Sequence, residues 1–177
     1  LLTAALEMSD KKAQAHTFLE KHVQMHCNDI PSAMLLAERQ IGKDRAAAIK
    51  TYEQVLAKTP DNFVVLNNLA FLALEDKKLT RAEELAKKAV SLQRENADAA
   101  DTLAQIYIAK GDKAAALKLY EEVAARPIAN DDVYLNYVSV LLELDKKALA
   151  SRKLASREFK SEAAKQRAES LKQQYGL

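Results

Sequence analysis

The sequence predicts an all-α protein, an α-solenoid of helical hairpins stacked side by side. Three observations lead there. Glycine and proline occur only three times each in 177 residues, and the chain is rich in Ala, Leu, Lys and Glu, which favours helices over hairpin turns and long loops. Residues 65–72, VLNNLAFL, return 34 positions later as AADTLAQI. The few turn signals fall where a period of that length needs a joint.

The offset holds in both halves of the repeating unit. On the first helix, Leu66, Leu69 and Ala70 become Ala100, Leu103 and Ala104, then Tyr134, Tyr137 and Val138. On the second, Ala48, Tyr52 and Val55 become Ala82, Ala86 and Ala89, then Ala116, Tyr120 and Val123, then Ala150 and Leu154. Upstream, the first helix fits a step of 33, placing Ala33, Leu36 and Ala37 under Leu66, Leu69 and Ala70, as if the turn at Gly42-Lys43-Asp44 were one residue short. The predicted organisation is one continuous array: a partial unit over 1–28, units over 29–61, 62–95 and 96–129, a degenerate unit over 130–160, and a capping helix over 161–177. A solenoid exposes its core at an end and closes it with a helix polar on its outer side. Ala164, Ala168, Leu171 and Tyr175 supply one apolar face for it.

The joints carry recognisable stops and starts. Pro60-Asp61-Asn62 and Arg126-Pro127 separate units, where proline ends a helix and a polar residue caps the next. Asp29, Asn130 and Ser161 are expected N-caps. Thr80-Arg-Ala-Glu83 reads as a capping box, and Gly111 as the residue that turns one helix back on its partner with a positive φ. In the partial unit, residues 10–26 read as a second helix with Phe18, Leu19 and Val23 inward, preceded by a first helix over Leu1–Met8.

Small residues at Ala48, Ala82 and Ala116 let paired helices approach, and large ones at Tyr52 and Tyr120 plug the seam between hairpins. With the 34-residue period and the helix–turn–helix unit, this alternation resembles the tetratricopeptide repeat. The resemblance implies a right-handed α-solenoid whose first helices line a concave face. It departs in detail: the aromatic near the start of the first helix is Ala33, Leu66 or Ala100, with only Tyr134 aromatic, and Pro60 has Arg94 as its counterpart. More narrowly, the order LNNLAFLAL, DTLAQIY, YLNYVSVLLEL and REFKSEAAKQRAESLKQQ is similar to the C-terminal part of the tetratricopeptide lipoproteins of the PEP-CTERM/exosortase system. That similarity implies a larger bacterial protein of the cell envelope or periplasm, linked to exopolysaccharide and protein sorting. The opening Leu1-Leu2, without methionine, fits a piece of a longer chain.

Composition narrows the function. No window approaches the 18 or so uninterrupted apolar residues of a membrane span, and Cys27 alone gives no intrachain disulfide framework. Gly42, Gly111 and Gly176 form no glycine-rich phosphate loop, and no Gly-x-Ser-x-Gly elbow occurs. Pairs such as Glu83-Glu84, Glu121-Glu122 and Asp131-Asp132 sit at helix starts or beside lysines, where a carboxyl stays ionised. No enzyme and no cofactor is expected. The one candidate metal pair is His22 and His26, four apart on one helical face; a tetrahedral site needs further ligands, and exposed histidines are the simpler reading.

Net charge is +2, unevenly spread. Residues 146–177 hold nine Lys/Arg against three Asp/Glu, leaving 18 against 22 in the rest. A basic end can contact acidic polymers; the plainer reading is a solvated helix face.

The face expected to be concave carries Val64, Asn67, Asn68, Phe71 and Glu75, then Asp98, Asp101, Thr102 and Gln105, then Asp132, Leu135, Asn136 and Ser139, with Met34, Leu35 and Glu38 upstream. Hardly any is basic, so nucleic acid is an unsuited ligand, and a lysine clamp for a peptide carboxylate is missing. Asn67, Asn68 and Asn136 can bond a peptide backbone, with Val64 and Phe71 as apolar anchors. The expected site is therefore Val64, Asn67, Asn68, Phe71, Asp101, Thr102, Gln105 and Asn136, and the expected partner is a protein or peptide. The competing expectations are a structural spacer or self-association module of a longer repeat protein, and a basic C-terminal contact.

Overall fold

In the computed structural model, residues 12–177 are described, and these contain ten α-helices and no strand. The expected helix over Leu1–Met8 lies outside the described residues. The helices are α1 (Lys12–Met25), α2 (Ile30–Ile41), α3 (Arg45–Lys58), α4 (Phe63–Glu75), α5 (Leu79–Leu92), α6 (Ala97–Ala109), α7 (Lys113–Val123), α8 (Asp131–Glu143), α9 (Lys147–Ala155) and α10 (Glu162–Tyr175). None is long and apolar enough to cross a membrane.

Each helix packs on its sequence neighbour, giving hairpins α2–α3, α4–α5, α6–α7 and α8–α9, with α1 against α2. First helices also touch one another: α4 meets α6, α6 meets α8, and α10 takes the place of a following first helix on α8. The chain is thus a two-layered α-solenoid, as the period predicts. Ala48, Ala82 and Ala116 are completely buried, and so are Tyr52 and Tyr120. Contact at the small position and filling at the large one hold the hairpins together.

Starts of helices follow the polar caps. Asp29, Asp44, Asn62, Asn96, Asp112, Asn130 and Ser161 each accept a backbone N–H of the first turn. The capping box at Thr80 is not formed. Helix α5 begins at Leu79 on Lys78, which gives no side-chain cap, and Glu83 turns instead to Lys87 and Lys110. Phe18 is also a correction: it is 41% exposed, while Ala15 and Leu19 are buried. One step along an α-helix turns about 100°, so the residue beside Leu19 leaves the Ala15–Leu19–Val23 stripe and stacks on His22 at 6.3 Å.

The hairpin turns share one device that only Gly111 announced. Lys77, Gly111 and Asp145, spaced by 34, have φ of 59°, 84° and 58°. Just after each, the N–H of Lys78, Asp112 or Lys146 donates five residues back, to the carbonyls of Ala73, Tyr107 and Leu141. That is a Schellman closure with a left-handed residue at its corner. The α2–α3 turn lacks the step: Gly42 has φ −83°, which accounts for the shorter first unit. Left-handed backbone costs a non-glycine residue about 1–2 kcal/mol. Lys77→Gly should therefore stabilise the protein by about 0.5–1 kcal/mol after the extra freedom of glycine in the unfolded chain is subtracted, seen as a higher urea midpoint.

Candidate functional site

On α4 two large apolar side chains stand out of the first-helix layer. Val64 is 41% and Phe71 47% exposed, seven residues apart on one face of α4, with Asn67 between them. Asn67 Oδ1 is shielded from solvent and meets no hydrogen-bond donor among the described residues. A buried acceptor without a donor is costly. On the upstream side α2 is adjacent, since Asn62 Nδ2 reaches Met34 Sδ at 3.7 Å.

The remaining expected contacts are turned to internal work. Asn68 Nδ2 donates to the Tyr52 hydroxyl at 2.9 Å. Tyr120 Oη donates to Asp101 Oδ1 at 2.5 Å and accepts from Gln105 Nε2 at 3.2 Å. Asn136 Nδ2 donates to the same Asp101 oxygen at 2.8 Å, and Arg167 Nη2 donates to Asn136 Oδ1 at 2.5 Å. Thr102 is buried, its hydroxyl returned to the Asp98 carbonyl. Leu135, expected on the face, is fully buried, because α10 covers α8 there. The reading of the tyrosines as plugs overlooked that a buried hydroxyl must find a partner. That requirement was the available signal for Asn68, Asp101 and Gln105.

Electrostatics follow from this placement. Burial pushes the Asp101 carboxyl above its ordinary value, against the donors Tyr120 and Asn136, which favour its charged form. Burial, reinforced by the charge of Asp101, holds the Tyr120 hydroxyl far up, so it stays a donor. Further carboxylates flank the layer. Glu75 pairs with Arg45 at 2.6 Å and Glu143 with Lys113 at 2.9 Å, while Asp132 lies 3.5 Å from Arg167. Glu38 meets no cation among the described residues, and Asp98 is held only by the Asn130 amide at 2.8 Å.

Elsewhere, the histidine pair is brought together but already engaged. The rings of His22 and His26 are 4.6 Å apart, and His22 Nε2 lies 2.8 Å from Asp29 Oδ2. Asp29 also caps α2 through Ser32, and these bonds lower its carboxyl to about 2, the His22 bond contributing most. Cys27 lies past the end of α1 and is exposed. Among the described residues no three His, Cys, Asp or Glu side chains converge as a metal site. Of the basic C-terminal cations, Arg157, Lys165, Arg167 and Lys172 face carboxylates, and Lys153 lies over the Tyr137 ring at 4.6 Å. A groove of about 610 Å³ between α1, α2 and α3 contains none of the expected contact residues.

This geometry has relatives of known structure. A MamA fragment from Desulfovibrio magneticus RS-1 is 13% identical over 88% of each chain, with a TM-score of 0.73. Pseudomonas aeruginosa pilF is 19% identical, covering 99% of this chain and 89% of its own, at 0.74. TTC0263, a thermophilic TPR protein of Thermus thermophilus, is 18% identical over 96% and 94%, at 0.72. No curated protein matches the sequence. Two family models match, each described as Tetratricopeptide repeat, over residues 35–106 and 97–126. Those stretches run together across more than half of the sequence, and with the stacked hairpins and their small/large seams they make this chain a member of the tetratricopeptide repeat family.

Proposed function

We propose that the chain is a non-catalytic protein-interaction scaffold whose concave first-helix face receives an extended segment of a partner polypeptide. Val64, Asn67 and Phe71 make the contacts. Asn68, Asp101, Thr102, Gln105 and Asn136 hold that wall in shape. The observation that carries this reading is the exposed pair Val64 and Phe71 on one face of α4. An extended chain supplies what such a face lacks, apolar side chains to cover it. The phrases LNNLA and DTLA support a setting in a larger bacterial envelope protein linked to exopolysaccharide and protein sorting.

A photo-crosslinking residue at Phe71 should capture a partner in the cells that make the protein. The same residue at Lys118, exposed on second helix α7, should not. Equal yields from the two positions would remove the concave face from the proposal.

A further inference from the structure

Resting on that reading, we infer that the partner segment is cationic on both sides of an apolar residue, with a spacing of three. Beside the apolar pair, the neighbouring first helices carry carboxylates. Glu38 on α2 and Asp98 on α6 are both exposed carboxylates without an ion pair among the described residues, and they stand on the helices either side of α4. Glu38 is near enough to the Tyr52–Asn68 bond to raise the Tyr52 hydroxyl further beyond what burial does, and Asp98 near enough to act on Asp101. Two cations that reach the layer are paired within it: Arg45 with Glu75 and Asp76, Arg167 with Asn136 and Asp132. The surface thus presents carboxylate, apolar pair, carboxylate across three first helices, α2, α4 and α6.

Spacing then selects the ligand. Packed helices lie about 8–10 Å apart, and an extended chain advances about 3.3 Å per residue. A segment crossing the layer meets the next helix about every third residue. Its apolar side chain settles between Val64 and Phe71, and lysines or arginines three residues before and after reach Glu38 and Asp98. Opposite charges across such a surface fix register and exclude acidic competitors.

The test uses the 177-residue protein and three end-blocked heptapeptides: Lys-Ser-Ser-Phe-Ser-Ser-Lys, its analogue with Glu for both lysines, and its analogue with Ala for Phe. Amide chemical shifts in a ¹⁵N-labelled sample report both affinity and place. The lysine–phenylalanine peptide should bind about tenfold tighter than the glutamate peptide at low salt, and the gap should shrink in 0.5 M salt. Glu38→Lys with Asp98→Lys should reverse the order. Glu38→Lys alone touches no internal hydrogen bond and should narrow the gap without touching stability. Equal binding of the two charged peptides, an order unchanged by the charge reversals, or no binding by any of the three overturns the inference. If the glutamate peptide binds with shifts centred on Val64, Asn67 and Phe71, the groove survives and only its charge preference falls. Shifts centred elsewhere sink the groove itself.

Discussion

Tyr120→Ala should destabilise the protein by about 3–5 kcal/mol, the range for removing a large buried aromatic side chain. Tyr120 is completely buried and stacks on Tyr137 at 5.6 Å, so the neighbouring helices cannot close the hole without moving the seam between α7 and α8. Tyr120→Phe separates the hydroxyl from the ring. It keeps the plug but takes a donor from Asp101, at a cost of about 1–3 kcal/mol. The pH dependence of that variant identifies the cause. Because burial raises the Asp101 pKa in the folded state, the folded form binds its proton more readily than the unfolded form. Its contribution therefore improves as pH falls through the raised pKa and worsens as pH rises. Without the Tyr120 hydroxyl this dependence should steepen. Urea unfolding of both variants across pH 4–8 checks the effect; a Tyr120→Phe protein as stable as the parent, with an unchanged pH profile, contradicts it.

The second large effect lies at the other end of α8. Arg157 fills the corner between the α7–α8 and α9–α10 connections. Its Nε and Nη2 donate to Asp131 at 2.9 and 2.5 Å, and Nη1 donates to the Ile128 carbonyl at 2.7 Å. Its guanidinium lies 4.3 Å from the Tyr134 ring centre. Both partners are mostly buried, with 17% and 14% of their side chains exposed. Arg157→Ala should cost about 2–4 kcal/mol, above an exposed pair and near the lower edge of a fully buried one. Lysine at 157 should recover little, since an ammonium cannot hold the fork and the carbonyls together. The loss should be local: hydrogen exchange should quicken in α10 while α4 and α5 stay protected, as expected where each unit leans only on its neighbours. Arg157 also holds the Asp131 carboxyl below its usual range. That stabilisation is complete above the ordinary carboxylate pKa and is lost as pH falls through the lowered one. Uniform exchange across all helices would disprove the local account.

The hairpins were readable because they rest on spacing: Ala48, Ala82 and Ala116 recur at fixed intervals, and a period of 34 survives in a single sequence. The caps Asp29, Asn130 and Ser161 were readable because a cap acts within three residues. Thr80 failed by the same locality, since the Lys77 corner one turn earlier had already set where α5 starts. The site was harder. Asp101 meets Tyr120 and Asn136 across 19 and 35 residues, a pairing that no local pattern encodes. A polar residue expected on a groove looks the same in sequence as one that satisfies a buried hydroxyl. Only Val64 and Phe71, apolar where the helix should be wet, carried a signal that packing alone does not explain.

The missing corner at Gly42 also bears on curvature. A superhelix of uniform pitch needs identical joints, because the same small rotation is applied at every step. Three hairpin turns here pass through a left-handed residue and one, at Gly42, does not. Inserting a single residue after Gly42 should restore the 34-residue spacing and shift Glu38 relative to Phe71. The α2–α3 turn is thus the joint at which the spacing of the array can be altered without changing any residue of α4 or α6.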